Sequence, residues 1–322
     1  MLSLSLISLL SLPAALSLPL FGLGGSTADD SATGAPTPFS LADVNSTLLR
    51  PAQFARVAYC SSASITAWNC GTPCEALKNI TFLQSGGDQG LVPLYFIAHD
   101  ADDQSLVVAH EGTDAKNVLS ILNDAQFGLV ALNASRFPET AGKNITVHDG
   151  FQKTFERTAD SLLAGVMSGL ASTGVKKVVV TGHSLGAALA TMTGAMIKDA
   201  VDPSVDVTVT GFGLPRGGNQ GWADFLDGQV RLFSPLAHVG VTFVSNQNDP
   251  VPTVPPKFLG FQHSSGEIHI VDDSQQNFVA CPGQDNANCA TGNNVLKSSV
   301  ANHLGPYFDD ITFGGSQCSD SS

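Results

Sequence analysis

The apolar positions of this chain recur with two different periods, and the period changes from one stretch to the next. Phe151, Phe155, Ala159, Leu162, Leu163, Val166, Met167 and Leu170 fall three and four residues apart, which puts them on one side of a helix. The spacing predicts an amphipathic helix over Gln152 to Ser172, stopped by Gly174. Leu48 to Tyr59 also reads as helical. Leu94 to Ile97 and Leu106 to His110 are instead short apolar runs joined by the acidic turn Asp100-Ala-Asp-Asp103, a hairpin pattern. Lys176 to Thr181, Val205 to Gly211 and Val239 to Ser245 are apolar runs of strand length, and Gly186 to Ala200 is a helical run rich in Ala, Met and Leu. Strands alternating with helices imply an α/β chain, with a predominantly parallel central sheet and helices on both faces. Chemistry in such sheets gathers at the carboxyl ends of the strands.

One of those strand ends carries a distinctive turn. Gly182-His-Ser184-Leu-Gly186 lies between the run at Lys176 to Thr181 and the following helix, a Gly-x-Ser-x-Gly pentapeptide in strand-turn-helix context. A Cβ at either glycine would clash with the neighbouring strand or helix, so the glycines allow a sharp turn that lifts Ser184 Oγ to the top of the sheet. The helix N-terminus beside it suits a developing oxyanion. A serine needs a base, and the base an orienting carboxylate, in the chain order Ser, acid, His. Asp249 follows the run ending at Ser245 and is held among the prolines of Asp249-Pro-Val-Pro-Thr-Val-Pro. Of the downstream histidines, His269 alternates within Glu267-Ile-His-Ile-Val271 like a strand residue, and His263 precedes a Ser-Ser-Gly turn. His303 sits in a loop near the C-terminus; spacing alone favours it over His263 without excluding the latter.

Composition narrows the partners. With 322 residues, 43% of them hydrophobic and 13% charged, the chain is long enough for one large core and reads as a single α/β domain. Fifteen basic residues against 28 acidic ones, a formal charge of −13, argue against nucleic acid and against an anionic membrane surface. Met1 to Gly25 carry no charged side chain, and Ala15-Leu-Ser17 offers a small-x-small cleavage pattern. Residues 1–17 therefore read as a signal peptide, 18–47 as a leader or propeptide that includes the Gly/Ser/Thr/Pro/Asp stretch Ser26 to Pro38, and 48–322 as the folded domain. Serines and Pro13 interrupt the first segment too often for a membrane span. Glycosylation sequons at Asn45, Asn79, Asn133 and Asn144 agree with secretion. So does an even count of 6 cysteines. Local closure of Cys70 with Cys74 and of Cys281 with Cys289 leaves Cys60 and Cys318 to staple the two ends, and no histidine stands at zinc-ligand spacing from any pair.

Several motifs together carry a family resemblance. Besides Gly182-His-Ser-Leu-Gly186, the chain holds His148-Asp-Gly-Phe151, Gly211-Phe-Gly-Leu-Pro-Arg216-Gly-Gly-Asn219, Asn248-Asp-Pro-Val-Pro252, Val254-Pro-Pro256, His263-Ser-Ser-Gly-Glu267 and His303-Leu-Gly-Pro-Tyr307. From about Leu48 to Cys318 it resembles the class 3 lipases of filamentous fungi and the feruloyl esterases that share their fold. The resemblance implies an α/β-hydrolase fold with Ser184 as nucleophile, Asp249 as orienting acid, His303 as general base and Cys60–Cys318 as the end-to-end bridge. It implies oxyanion donors at the Leu185 amide and at Thr113, a structural role for Arg216, and a monomer needing no metal or cofactor. The expected substrate is an acylglycerol or related ester, met at an oil–water interface; an aryl ester of the feruloyl type is the alternative, and a silent hydrolase fold that binds lipid or a partner is a further one. Two departures stand out. His110-Glu111 replaces the aromatic and Arg usual before Gly112, and Asp114 to Phe127 has no Trp, although Val118, Leu119, Ile121 and Leu122 make a short amphipathic stretch suited to a lid.

Overall fold

A computed structural model describes residues 34–113, 128–228 and 240–319. Its centre is a 9-stranded sheet in the order β1-β11-β10-β9-β8-β7-β4-β3-β2. In chain order the strands are β1 (Thr37–Phe39), β2 (Ile80–Gly86), β3 (Tyr95–Asp100), β4 (Ser105–His110), β7 (Lys177–His183), β8 (Asp206–Phe212), β9 (Val241–Asn246), β10 (Glu267–Ile270) and β11 (Phe278–Cys281). β5 (Leu129–Ala131) and β6 (Thr146–His148) form a separate antiparallel pair. The strands β4, β7, β8, β9 and β10 run parallel, while the pairs at both margins are antiparallel. This is the α/β-hydrolase arrangement, with helices on both faces.

Period-two alternation explains why both faces are dry. Leu106 and Val108 of β4 point into a core shared with Val178, Val180 and the helix after the pentapeptide, whereas Val107 and Ala109 point to the opposite side, against Phe54 and Val57. Phe54 and Val57 belong to α1 (Leu49–Val57), the helix expected over Leu48 to Tyr59. The hairpin also forms as expected, with β3 paired to β4 from Tyr95↔His110 to Asp100↔Ser105. Arg50 closes its turn by an ion pair to the buried Asp100.

The helix expected over Gln152 to Ser172 is two helices, α2 (Asp149–Glu156) and α3 (Ala159–Thr173). The break has a local cause: the amides of Arg157 and Thr158 bond back three residues, to Thr154 and Phe155, which tightens the turn and ends the i→i−4 ladder. Gly174 caps α3 in the left-handed conformation, as its position implied. The remaining helices used below are α4 (Leu185–Ala200), α5 (Gln220–Gly228) and α6 (Val300–Leu304).

Residues ahead of Leu48 also pack on the sheet: Thr37–Phe39 adds a strand to β11, and Val44 and Leu48 are buried in the core around Phe212 and Val244. The composition that disguised this segment is that of a sheet edge, where short polar strands are the rule.

The three disulfides are Cys60–Cys318, Cys70–Cys74 and Cys281–Cys289. Glu267, Cys281 and Cys289 bring ligand-type atoms within 4.8 Å of one another, but both sulfurs are committed to the disulfide and offer no thiolate to a metal. No helix among the described residues is long and apolar enough to cross a membrane.

Candidate active site

The pentapeptide forms the turn that its glycines predicted. Strand β7 ends at His183 and α4 begins at Leu185, leaving Ser184 alone between them at φ 58°, ψ −126°. That backbone region is costly for a residue with a side chain, and it persists because the surroundings leave no alternative. A Cβ on Gly182 would collide with the carbonyl of Gly186, and one on Gly186 with the carbonyls of His110 and Glu111. Helix α4 is thus pressed against β7 at Gly182 and against the end of β4 at Gly186, two positions that only glycine can fill. The Ser184 amide donates to the Phe212 carbonyl (2.9 Å), which ties the turn to the neighbouring strand β8.

Asp249 leaves the carboxyl end of β9, two strands away. Its Oδ1 accepts from the Val251 amide (2.8 Å) and its Oδ2 from His303 Nδ1 (2.9 Å). These two bonds hold the carboxylate in place and require His303 to carry its proton on Nδ1, leaving Nε2 as the acceptor. The His303 ring lies over Gly213, where an added Cβ would come within 2.7 Å of Cε1. Gly213 follows Phe212, the residue that anchors the Ser184 amide, so the ring and the serine meet at the end of β8. Ser184, Asp249 and His303 are all buried. Ser184 Oγ and His303 Nε2, the atoms between which a proton would pass, are both buried without a hydrogen-bond partner among the described residues. Leaving a buried polar atom unpaired costs about 1–3 kcal/mol, so two at one point mark a site kept ready for another molecule.

Three other histidines are accounted for elsewhere. His263 donates from Nε2 to the Pro252 carbonyl (2.9 Å) and stacks on Phe243, and burial pushes it down to about 4. His269 pairs with Ser245 inside the sheet and is likewise lowered by burial to about 4. His110 meets Thr193 (2.9 Å), and burial lowers it to about 3. These three are neutral packing residues. Arg216 is structural, as expected: it is buried against Asp285 (2.7 Å) and donates to the Pro255 carbonyl (3.0 Å), bracing the loop after Asp249.

On the oxyanion side, Gly112 and Thr113 directly follow β4. Gly112 is another obligatory glycine, because a Cβ there would strike the Tyr59 hydroxyl and the His183 carbonyl. The Gly112–Thr113 loop therefore rests on the same turn that carries Ser184 and Leu185. The lid residues Val118, Leu119, Ile121 and Leu122 lie outside the described residues. Among the sequons, Asn45, Asn79 and Asn144 are exposed, whereas Asn133 is half-buried with its amide donating to Glu156.

Sequence reasoning passed over His183, treating it as a variable position of the pentapeptide. Its Nδ1 accepts from the Tyr59 hydroxyl (2.6 Å) and its Nε2 donates to the backbone carbonyl of His303 (2.8 Å). The signal that could have exposed it was its place at the last residue of a strand, where the side chain alternates away from the helix face. A cavity of about 1050 Å³ lies elsewhere, between β1, α1 and the lower sheet, and its lining includes none of Ser184, Asp249 and His303.

A serine on a strand-turn-helix elbow, beside a histidine paired with a carboxylate at the carboxyl edge of a parallel sheet, is the arrangement of serine hydrolases of this fold. Residues 107–259 match the family described as Lipase (class 3). A secreted mono- and diacylglycerol lipase of Malassezia restricta is 32% identical over 72% of this chain and 70% of its own length. One of Malassezia globosa is 31% identical over 80% and 79%, and another of the same species is 34% identical over 63% and 62%. The chain belongs to the class 3 lipase family. Among solved structures, a nonglycosylated lipase of Yarrowia lipolytica superposes with a TM-score of 0.77 at 24% identity, covering 88% of this chain and 98% of that one. Lipase II of Rhizopus niveus does so at 0.74 and 22%, covering 87% and 99%.

Proposed function

We propose that this chain is a secreted serine hydrolase that cleaves the ester bonds of acylglycerols, with Ser184 as nucleophile, His303 as general base and Asp249 as the group that orients it. The observation that carries this reading is the pairing of a positive-φ Ser184 with a buried His303–Asp249 dyad at one sheet edge. His303 Nε2 takes the Ser184 proton as Oγ attacks the ester carbonyl, then gives it to the departing glycerol oxygen. Water repeats the sequence on the acyl-enzyme, releasing the fatty acid and restoring the serine. The Leu185 amide at the start of α4 and the Thr113 amide are the donors assigned to the developing oxyanion.

The relatives, secreted mono- and diacylglycerol lipases, favour mono- and diacylglycerols as substrates and a secreted protein. Secretion is further supported by the disulfides and by the uncharged start of the chain, with residues 1–17 assigned as signal peptide and 18–47 as leader. Every group in the scheme comes from one chain, so a monomer suffices. Interface binding is supported by two exposed apolar tips: Phe258 (86% exposed) in the loop after Asp249 and Leu296 (91%) in the loop before His303. Beside each stands an exposed lysine, Lys257 and Lys297, without an acidic partner among the described residues. Such tips suit a lipid surface better than water. On the sequence pattern alone, Val118, Leu119, Ile121 and Leu122 are the candidate lid residues.

The test is a matched comparison of initial rates on mono-, di- and triacylglycerol emulsions and on methyl ferulate, with Ser184→Ala and His303→Ala as blanks and His263→Ala as control. Acylglycerols should dominate, both blanks should be inactive and the control active. Faster turnover of methyl ferulate would move the protein to the aryl esterases, and activity in a folded blank would overturn the residue assignments.

A further inference from the structure

Helix α6, which delivers His303, is only five residues long, from Val300 to Leu304. A helix that short satisfies few of its own carbonyls, and those of its last turn must find partners outside. Here they find side chains from the strands beneath. Asn246 Nδ2, at the end of β9, donates to the carbonyl of Asn302 (2.9 Å) and to that of Pro306 (3.0 Å). The carbonyl of His303 itself accepts from His183 Nε2 (2.8 Å) and from the Tyr307 hydroxyl (3.2 Å).

His183 is built for one orientation. Its ring lies flat on Phe313, with centroids 4.3 Å apart and planes 10° apart, and 4.4 Å from the His303 ring. Since Nε2 donates to a carbonyl, Nδ1 must be the acceptor, and the Tyr59 hydroxyl supplies the matching proton at 2.6 Å. The tautomer is therefore set from both sides. Burial, with His303 alongside, keeps His183 well below the usual histidine range, so it stays neutral and does not repel the imidazolium that His303 becomes in turnover.

We infer that His183 is a positioning residue for the reaction: through its bond to the His303 carbonyl it fixes the backbone of the general base relative to the serine turn. His183 and Ser184 are consecutive, so one residue carries the nucleophile and its neighbour grips the base. A shift of the serine turn moves the base with it. Tyr59 extends the same linkage to the oxyanion loop, because its hydroxyl also packs against Gly112.

This inference rests on the assignment of Ser184 and His303 as nucleophile and base, and the experiment separates the two. Gln at position 183 reaches about as far from the backbone as the imidazole and can still donate to the His303 carbonyl. Asn matches Nδ1, meets Tyr59 and falls short of that carbonyl, and Phe keeps only the stacking on Phe313. His183→Gln, His183→Asn and His183→Phe are compared on a soluble short-chain ester, together with melting temperature and the low-field proton resonance of the His303–Asp249 hydrogen bond. His183→Gln should stay within about threefold of wild-type kcat and keep the resonance. His183→Asn and His183→Phe should lose roughly tenfold to a hundredfold in kcat with KM little changed, and the resonance should broaden. Wild-type kcat in a folded His183→Asn protein overturns the inference, as does an equal loss in all three variants that follows melting temperature. Activity in Ser184→Ala or His303→Ala would instead overturn the assignment beneath it.

Discussion

Replacing Asp249 by Asn should disable the base by a route that the hydrogen bonds spell out. Asp249 Oδ1 accepts from the Val251 amide and Oδ2 from His303 Nδ1, both inside the core. In Asp249→Asn the side-chain oxygen stays with the Val251 amide, so the new NH₂ faces Nδ1. His303 must then accept at Nδ1 and carry its proton on Nε2, pointing at Ser184, where it cannot take a second one. Flipping the amide restores the right tautomer but sets the NH₂ against the Val251 amide, two donors in a buried place, at a cost of about 1–3 kcal/mol. Even the flipped form lacks the carboxylate charge opposite the imidazolium, and a hydrogen bond to a charged group is worth about 1.5–3 kcal/mol. Together the two effects lower kcat roughly 10²- to 10⁴-fold while leaving the volume of the site unchanged. The assay is steady-state hydrolysis of a soluble short-chain ester, which avoids any interface step, on protein whose melting temperature matches wild type. A folded Asp249→Asn enzyme with more than about a tenth of wild-type kcat would refute the tautomer argument.

The remaining predictions concern stability and the lipid surface. Cys60–Cys318 spans 258 residues, against 4 and 8 for the other bridges. Chain entropy gives it about 5–6 kcal/mol against roughly 2–3 for each of the others, so Cys60→Ala/Cys318→Ala should lower the denaturation midpoint far more than Cys70→Ala/Cys74→Ala, and equal effects would contradict the entropic account. Burial raises Glu267 from the usual 4.5 to about 7. Because the folded value lies above the unfolded one, its contribution, about 3 kcal/mol at most, is fully present below pH 4.5 and lost as pH rises through 7. Melting curves of wild type should therefore fall between about pH 5 and 8 relative to Glu267→Gln, and parallel curves would remove Glu267 from the explanation. Leu119→Asp and Phe258→Asp should each weaken adsorption to a neutral lipid emulsion without changing rates on soluble ester; unchanged adsorption in both would count against an apolar docking surface.

How much of this was legible depends on how local each feature is. The Ser184 turn could be read because its signature, a β-branched run, two glycines and a small-residue helix, lies within about twenty consecutive residues. The identity of the base could not be decided by spacing alone, since His263 and His303 differ in tertiary surroundings: one ring is wedged on Phe243 with its Nε2 spent on a carbonyl, the other leaves Nε2 open. The hairpin and the parallel strands showed as apolar runs because both of their faces are buried. The edge strands Thr37–Phe39 and Ile80–Gly86 face water on one side, and their polar residues hid them. The break between α2 and α3 left the apolar spacing nearly intact, so periodicity alone could not reveal it.

His183 was the hardest to see, because its role depends on residues far apart in sequence, Tyr59, His303 and Phe313, that meet only in the folded chain. The same convergence explains how the site tolerates its own costs. A positive-φ serine and two unpaired buried polar atoms each work against folding. They persist because the backbone on every side is held independently: Gly182 seats α4 on β7 and Gly186 seats it on β4, the Val251 amide and Arg216 brace the acid loop, and Asn246, His183 and Tyr307 take the carbonyls that α6 cannot satisfy. Those supports form no hydrogen bond with the reacting atoms, yet they keep Ser184 Oγ and His303 Nε2 from relaxing toward other partners. On this view the reactivity of the serine is a property of the frame around it, and variants that free the His303 backbone should lower turnover at constant stability even though they leave Ser184, His303 and Asp249 in place.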